Sequence, residues 1–206
     1  MLLIEKIMRI TALDISELGE LEPVLAHTKN VLGFIPNSLL IMAAHRPKMV
    51  KAFSMFSAEV FGGAVVNLEL LNMLAHVASS AAGCTYCQAH TASKIADGGV
   101  VSEKLKSVWE FETSDLFTEA ERVAIRFSWA AAMVPNEVED ENFDALKQHY
   151  SEREIVDIVG VISLFGFLNR WNDTLATPLE DEPLALAESL LTERGWKAGK
   201  HNPINR

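Results

Sequence analysis

Several kinds of residue that announce a function are scarce in this chain. Cysteine occurs twice in 206 residues, too few to supply a four-ligand zinc set by itself. Lysine and arginine number 18 against 28 aspartates and glutamates, for a formal charge of −10. That balance argues against a nucleic-acid or anionic-membrane partner, since both select for a basic patch. No apolar run approaches the roughly 20 residues that span a bilayer. The opening Met1–Ile10 is apolar but broken by Glu5, Lys6 and Arg9. It lacks the order and small-residue cleavage site of a secretory signal, so a cytoplasmic protein is expected. No stretch alternates with period two for long, which leaves little room for a sheet. With 49% hydrophobic residues, the length suits one large domain over residues 1–206 or two tightly fused halves.

What is present is concentrated in Gly83-Cys84-Thr85-Tyr86-Cys87-Gln88-Ala89-His90. Both cysteines lie here, and in a cytoplasmic setting a close pair points to catalysis more than to structure. Upstream, Leu68–Ala82 is apolar at helical spacing, with Gly83 as its stop. Downstream, a second helix is expected from Gln88 to Asp97, closed by Gly98-Gly99. The pair would then sit in the first turn of that helix, where free N–H groups and the helix dipole favour a thiolate. Residues three apart on a helix are about 5–6 Å apart, within the spacing a disulfide accepts. His90 follows Cys87 by three positions and is a candidate proton carrier. Buried, inert thiols are the plain alternative. A zinc site would have to recruit His76 and an acid.

The remaining signals are helical. Helices are expected within Asp14–Gly33, from Asn37 or Ser38 through Ala44, from Pro47 to Gly62-Gly63, and from Ser102 to near Phe111. Asn67 is placed to cap the Leu68–Ala82 helix. Thr118 with Glu121 and Ser151 with Glu154 are capping boxes, opening helices to about Met133 and Leu175, with another over residues 138–150 between them. A last helix covers Pro183 to about Glu193, and Lys197–Arg206 reads as a loose polar tail. The expected class is all-α. A shift of 85 residues lays Glu69-Leu70-Leu71-Asn72 on Glu154-Ile155-Val156-Asp157 and sets Asn169 and Asn172 opposite Cys84 and Cys87. Two related helical hairpins facing each other are one reading of this match, with both apolar helices breaking at the polar pair.

The Cys84–His90 stretch, following an apolar helix that ends Ala82-Gly83, resembles the alkylhydroperoxidase D and carboxymuconolactone decarboxylase family. Gly33-Phe34-Ile35-Pro36-Asn37, Ala44-His45-Arg46-Pro47 and Asn169-Arg170-Trp171-Asn172 are similar to its peroxidase-related branch. The matches cover roughly residues 30–180, leaving 181–206 as a C-terminal helix and tail. The resemblance implies an all-helical, AhpD-like bundle, a homo-oligomer, and a peroxidase that cycles a disulfide without a metal or other cofactor. It also implies a hydroperoxide substrate and a thiol or dithiol reductant. Cys87 would be oxidised and Cys84 would resolve it.

Two positions depart from the family pattern. The relay glutamate falls on Asn72, which cannot take a proton, and the relay histidine falls on Thr91. A relay here would run through His90 with His76 or Glu69; Glu69, Asn72 and His76 share one helix face. Each has a plain structural reading too: His76 as a satisfied core histidine, Glu69 as a favourable charge near a helix start. The expected activity is therefore thiol-dependent hydroperoxide reduction or disulfide exchange. Lactone decarboxylation and a non-catalytic, redox-responsive oligomer stand as alternatives.

Overall fold

The computed structural model describes residues 8–96 and 101–203. Most of the Met1–Ile10 strip and the Gly98-Gly99 helix stop lie outside the described residues. Ten α-helices and no strand occur among those described. They are α1 (Glu22–Leu32), α2 (Asn37–His45), α3 (Pro47–Gly62), α4 (Leu68–Ala81) and α5 (Thr85–Ala96), followed by α6 (Val101–Lys106), α7 (Glu119–Ala132), α8 (Asp140–Lys147), α9 (Glu152–Leu175) and α10 (Asp181–Leu191). The all-α expectation is met, and the fold is AhpD-like.

Local chemistry explains most of the boundaries. Asn67 accepts the N–H of Leu70 at 2.8 Å and starts α4. Thr118 and Ser151 form full capping boxes with Glu121 and Glu154. Pro23 sits in the first turn of α1, and Gly33 ends that helix with φ 83°. The α2 expectation is corrected in detail: Pro36, not Asn37 or Ser38, holds the cap position, and no side chain there caps the helix. The α9 expectation is also corrected. Asn169 and Asn172 lie inside one unbroken 24-residue helix rather than at a break.

Helix α4 is the centre of the core. It packs against α5, α7 and α9, and α5 packs in turn against α9 and α10. Leu71, Leu74, Ala75, Val77 and Ala78 of α4 are wholly buried. A second, smaller cluster gathers α1–α3 around Leu25, Met42 and Val50. The candidate site lies between these two cores.

Through residue 203 the C-terminal segment is not a loose tail. Trp196, Ala198 and His201 are buried, because Trp196 Nε1 donates to the Thr85 carbonyl at 3.2 Å and the Thr85 hydroxyl donates to the Ala198 carbonyl at 3.3 Å. The Leu179 N–H also donates to the His201 carbonyl, at 2.8 Å. The segment is polar in composition, but its few apolar side chains close over the start of α5.

Candidate active site

The loop between α4 and α5 is built from backbone bonds. The Gly83 N–H returns to the Ser80 carbonyl and the Cys84 N–H to that of Ser79, with Gly83 at φ 70°. This is the paired capping pattern that a left-handed glycine permits at a helix end. It sets Cys84 just ahead of α5, one position earlier than a first-turn residue. There its sulfur acts as the helix cap, accepting the Cys87 N–H at 3.4 Å. Cys87 lies in the first turn. Both cysteines are free thiols and buried.

The two sulfurs are electrostatically unequal. A hydrogen bond from the Cys87 thiol, joined by the backbone N–H groups of Cys87 and Tyr86, brings the Cys84 thiol below its ordinary range despite burial. Burial, followed by the hydrogen bond to Cys84 and then the charge of Cys84, pushes the Cys87 thiol well above its ordinary range. Of the two, Cys84 therefore gives up its proton more readily and Cys87 holds its own more tightly. Asn172, on α9, donates from Nδ2 to Cys87 Sγ at 3.6 Å.

Cys87, not Cys84, lines a cavity of about 450 Å³ between α1–α3 and α4, α5 and α9. The size suits a small organic molecule. Its walls include Val31, Leu39, Phe53, Phe61, Leu164 and Phe165, while Asn72, His90, Thr91 and Asn172 add polar groups near Cys87.

The six sequence candidates divide. Cys87, His90 and Asn72 line the cavity, and Cys84 stands off its wall, joined to Cys87 through the bond from the Cys87 N–H to Cys84 Sγ. His76 is buried behind it: Nδ1 meets the Thr91 hydroxyl at 2.9 Å, and that hydroxyl donates to the Cys87 carbonyl at 2.8 Å. A hydroxyl has one proton, so Nδ1 carries the hydrogen of this bond. Burial pulls the imidazole down to about 4, so His76 is neutral near pH 7. Glu69 is not part of the cavity wall. It pairs with Lys104 at 3.3 Å, and Lys104 also bonds Glu121 at 2.6 Å. Among the described residues, no group of three or more His, Cys, Asp or Glu side chains comes together as metal ligands.

Sequence reasoning missed Glu180. Its Oε2 accepts from His90 Nε2 at 2.7 Å, and its Oε1 accepts from the Tyr86 hydroxyl at 2.9 Å and from the Asn37 N–H. Burial alone would push this carboxyl up, but the charge and hydrogen bond of His90 and the Asn37 N–H hold it below the usual carboxylate range. Burial and the Glu180 charge push the Tyr86 phenol well above its own range, so it remains a hydroxyl donor. Tyr86 stacks on His90 with ring centres 4.4 Å apart, and Phe34 meets the same imidazole edge-on at 5.6 Å. No local signal marks Glu180, which stands 90 residues from His90.

A buried Cys-x-x-Cys at a helix N-terminus, facing an organic-sized cavity in an all-helical bundle, defines an AhpD-like protein. No family model matches the chain. Its structure is similar to that of the debrominase Bmp8, with 35% identity and a TM-score of 0.83, covering 88% of this chain and 97% of that one. A cysteine-to-alanine variant of Bmp8 in complex with 2,3,4-tribromopyrrole is similar to the same degree, with 34% identity and a TM-score of 0.83. The alkylhydroperoxidase AhpD core of a peroxidase-related protein from Ralstonia eutropha JMP134 shares the fold at 21% identity and a TM-score of 0.69, covering 86% of this chain and 94% of that one. In sequence, the chain is 28% identical over 97 residues to the uncharacterized protein YnjA of Escherichia coli (strain K12). That alignment spans 47% of this chain and about half, 53%, of the relative. The chain belongs to the AhpD-like family, in the company of Bmp8.

Proposed function

We propose that this chain is a thiol-dependent reductase that takes an electrophilic oxygen or halogen from a small organic molecule onto Cys87 and resolves it as a disulfide with Cys84. The observation that carries the reading is the position of Cys87: on the wall of the 450 Å³ cavity, with its backbone N–H on Cys84 Sγ at 3.4 Å. For a hydroperoxide, an S–O bond forms at Cys87 as the O–O bond breaks, and the alcohol leaves. Cys84 then attacks the Cys87 sulfur and water departs. An external thiol or dithiol restores the pair, so no metal or organic cofactor enters the cycle.

A halogenated ring is a second reading, favoured by the likeness to the debrominase Bmp8 and by the aromatic cavity walls. The bookkeeping at sulfur is the same. Halogen passes to Cys87, carbon takes a proton, and Cys84 displaces halide as the disulfide closes. Lactone decarboxylation consumes no thiol, and a redox-responsive oligomer would oxidise once without turnover. A homo-oligomer accompanies this reading. Met55, Phe56, Val65, Leu68 and Val156 are half exposed or more, an apolar surface a second copy would cover; light scattering at the monomer mass of 22.7 kDa would reject it.

The assay is to give reduced protein cumene hydroperoxide or 2,3,4-tribromopyrrole in turn, then count thiols and identify products by mass spectrometry. Loss of both thiols as an intramolecular disulfide, matched by one alcohol or one debrominated ring and repeated on adding dithiothreitol, is expected for at least one of them. Product without thiol loss, or no product from either, would overturn the reading.

A further inference from the structure

Glu180 breaks a local rule. It occupies the cap position of α10, where a Ser, Thr, Asp or Asn side chain ordinarily accepts a free N–H, yet makes no side-chain bond to that helix. Its carboxylate instead turns away to three other partners. Oε1 takes the first N–H of α2, from Asn37, and the Tyr86 hydroxyl; Oε2 takes His90 Nε2. Asn37 Nδ2 ties the same loop down through the Pro178 carbonyl at 3.1 Å. An ionised carboxylate only accepts hydrogen bonds, so Nε2 carries a hydrogen and Nδ1 is the ring nitrogen not committed to Glu180. The imidazole is further clamped between Tyr86 and Phe34. It lines the cavity that Cys87 lines.

We propose that Glu180 is a positioning residue that makes His90 the proton donor of this cavity, serving the fragment that leaves when Cys87 attacks. This rests on the thiol-reductase reading above. Asn72, on the same cavity wall, is an amide and cannot supply the proton. As Cys87 Sγ forms its bond to the terminal peroxide oxygen, its own proton passes to the Cys84 thiolate. The O–O bond breaks, and the departing alkoxide takes a proton from the imidazolium form of His90, leaving an alcohol. Cys84 then attacks Cys87 Sγ, the S–O bond breaks, and hydroxide leaves as water with the Cys84 proton. His90 is reprotonated from solvent. With a halogenated ring, the same His90 proton goes to the carbon that loses halogen.

A purely structural role for Glu180, joining α2, α5 and α10, makes a different prediction, and leaving groups separate the two. The test is a single-turnover comparison of wild type, Glu180→Gln and His90→Gln. Each reacts with cumene hydroperoxide or 2,3,4-tribromopyrrole, whose leaving fragments need a proton, and with methyl methanethiosulfonate, whose sulfinate does not. Loss of a general acid costs about 10²-fold or more. Both variants are expected to lose that much with the first substrate class and far less with the thiosulfonate. The double variant is expected to lose no more than the larger single loss, since the two residues act as a unit. Equal slowing with both classes in Glu180→Gln would make the residue structural and overturn the proposal while leaving the thiol-reductase reading intact. If Glu180→Gln fails to fold, His90→Gln alone decides by the same comparison. A wild type that reacts with the thiosulfonate but with neither proton-requiring substrate would overturn both readings.

Discussion

Asn172 Nδ2 lies 3.6 Å from Cys87 Sγ across 85 residues of sequence, so an amide from α9 reaches a site sulfur. Its donation favours the thiolate form of Cys87 and partly opposes the effect of burial. Asn172→Leu should therefore raise the Cys87 thiol further and slow its attack. A single neutral hydrogen bond is worth about 0.5–1.5 kcal/mol, which corresponds to roughly 2–10-fold in rate. Single-turnover thiol loss followed against pH checks this, and an unchanged profile would remove Asn172 from the site.

The identity of the attacking sulfur rests on a contest between two effects. Charge favours Cys84, which is the better thiolate, whereas access favours Cys87, which lines the cavity. Access should win for a substrate held in the cavity, because the proton can shift between the bonded sulfurs while the substrate cannot reach Cys84. In Cys84→Ser treated with one equivalent of hydroperoxide, a dimedone-type probe should label Cys87. Cys87→Ser should stay largely unlabelled, and the opposite pattern assigns attack to Cys84.

His76 should make stability depend on pH. Its folded value, about 4, lies below the ordinary 6.5, so between those values the unfolded chain binds a proton that the native state does not. Its contribution is complete above pH 6.5 and is lost as pH falls toward 4. The shift corresponds to about 3 kcal/mol. Urea unfolding at pH 7 and pH 4.5 should show this loss in the wild type and a clearly smaller loss in His76→Gln.

The C-terminal segment should contribute to stability and shield the site loop. Trp196 is buried and bonded to the Thr85 carbonyl, between the two cysteines. Trp196→Ala should destabilise the protein by about 3 kcal/mol, the usual order for a buried aromatic. Cys84 and Cys87 should also be alkylated faster by iodoacetamide under native conditions. Unchanged urea midpoint and alkylation rate would return residues 196–203 to the status of a free tail.

The helices and the cysteine pair could be read from the sequence because the forces that set them act over three or four residues. Asn67, Thr118 and Ser151 start helices by bonding N–H groups three positions ahead, and Gly83 stops α4 by its own left-handed backbone. The same short range placed Cys84 just ahead of α5 and Cys87 and His90 in its first half. It also set Glu69 on the face of Asn72 and His76, but helix phase cannot say which neighbour a side chain will choose, and Glu69 chose Lys104. The partners that give the site its chemistry come from afar. Asn172 reaches Cys87 from α9, Glu180 reaches His90 from the turn before α10, and Trp196 reaches Thr85 from the C-terminal segment. Their positions depend on how whole helices pack on α4 and α5. Sequence determined which helices form and which residues share a turn; only the tertiary structure decided which carboxylate meets the histidine, which sulfur faces the cavity and what covers the loop, because burial and charge pairing at those points are set by side chains 85 to 111 residues apart.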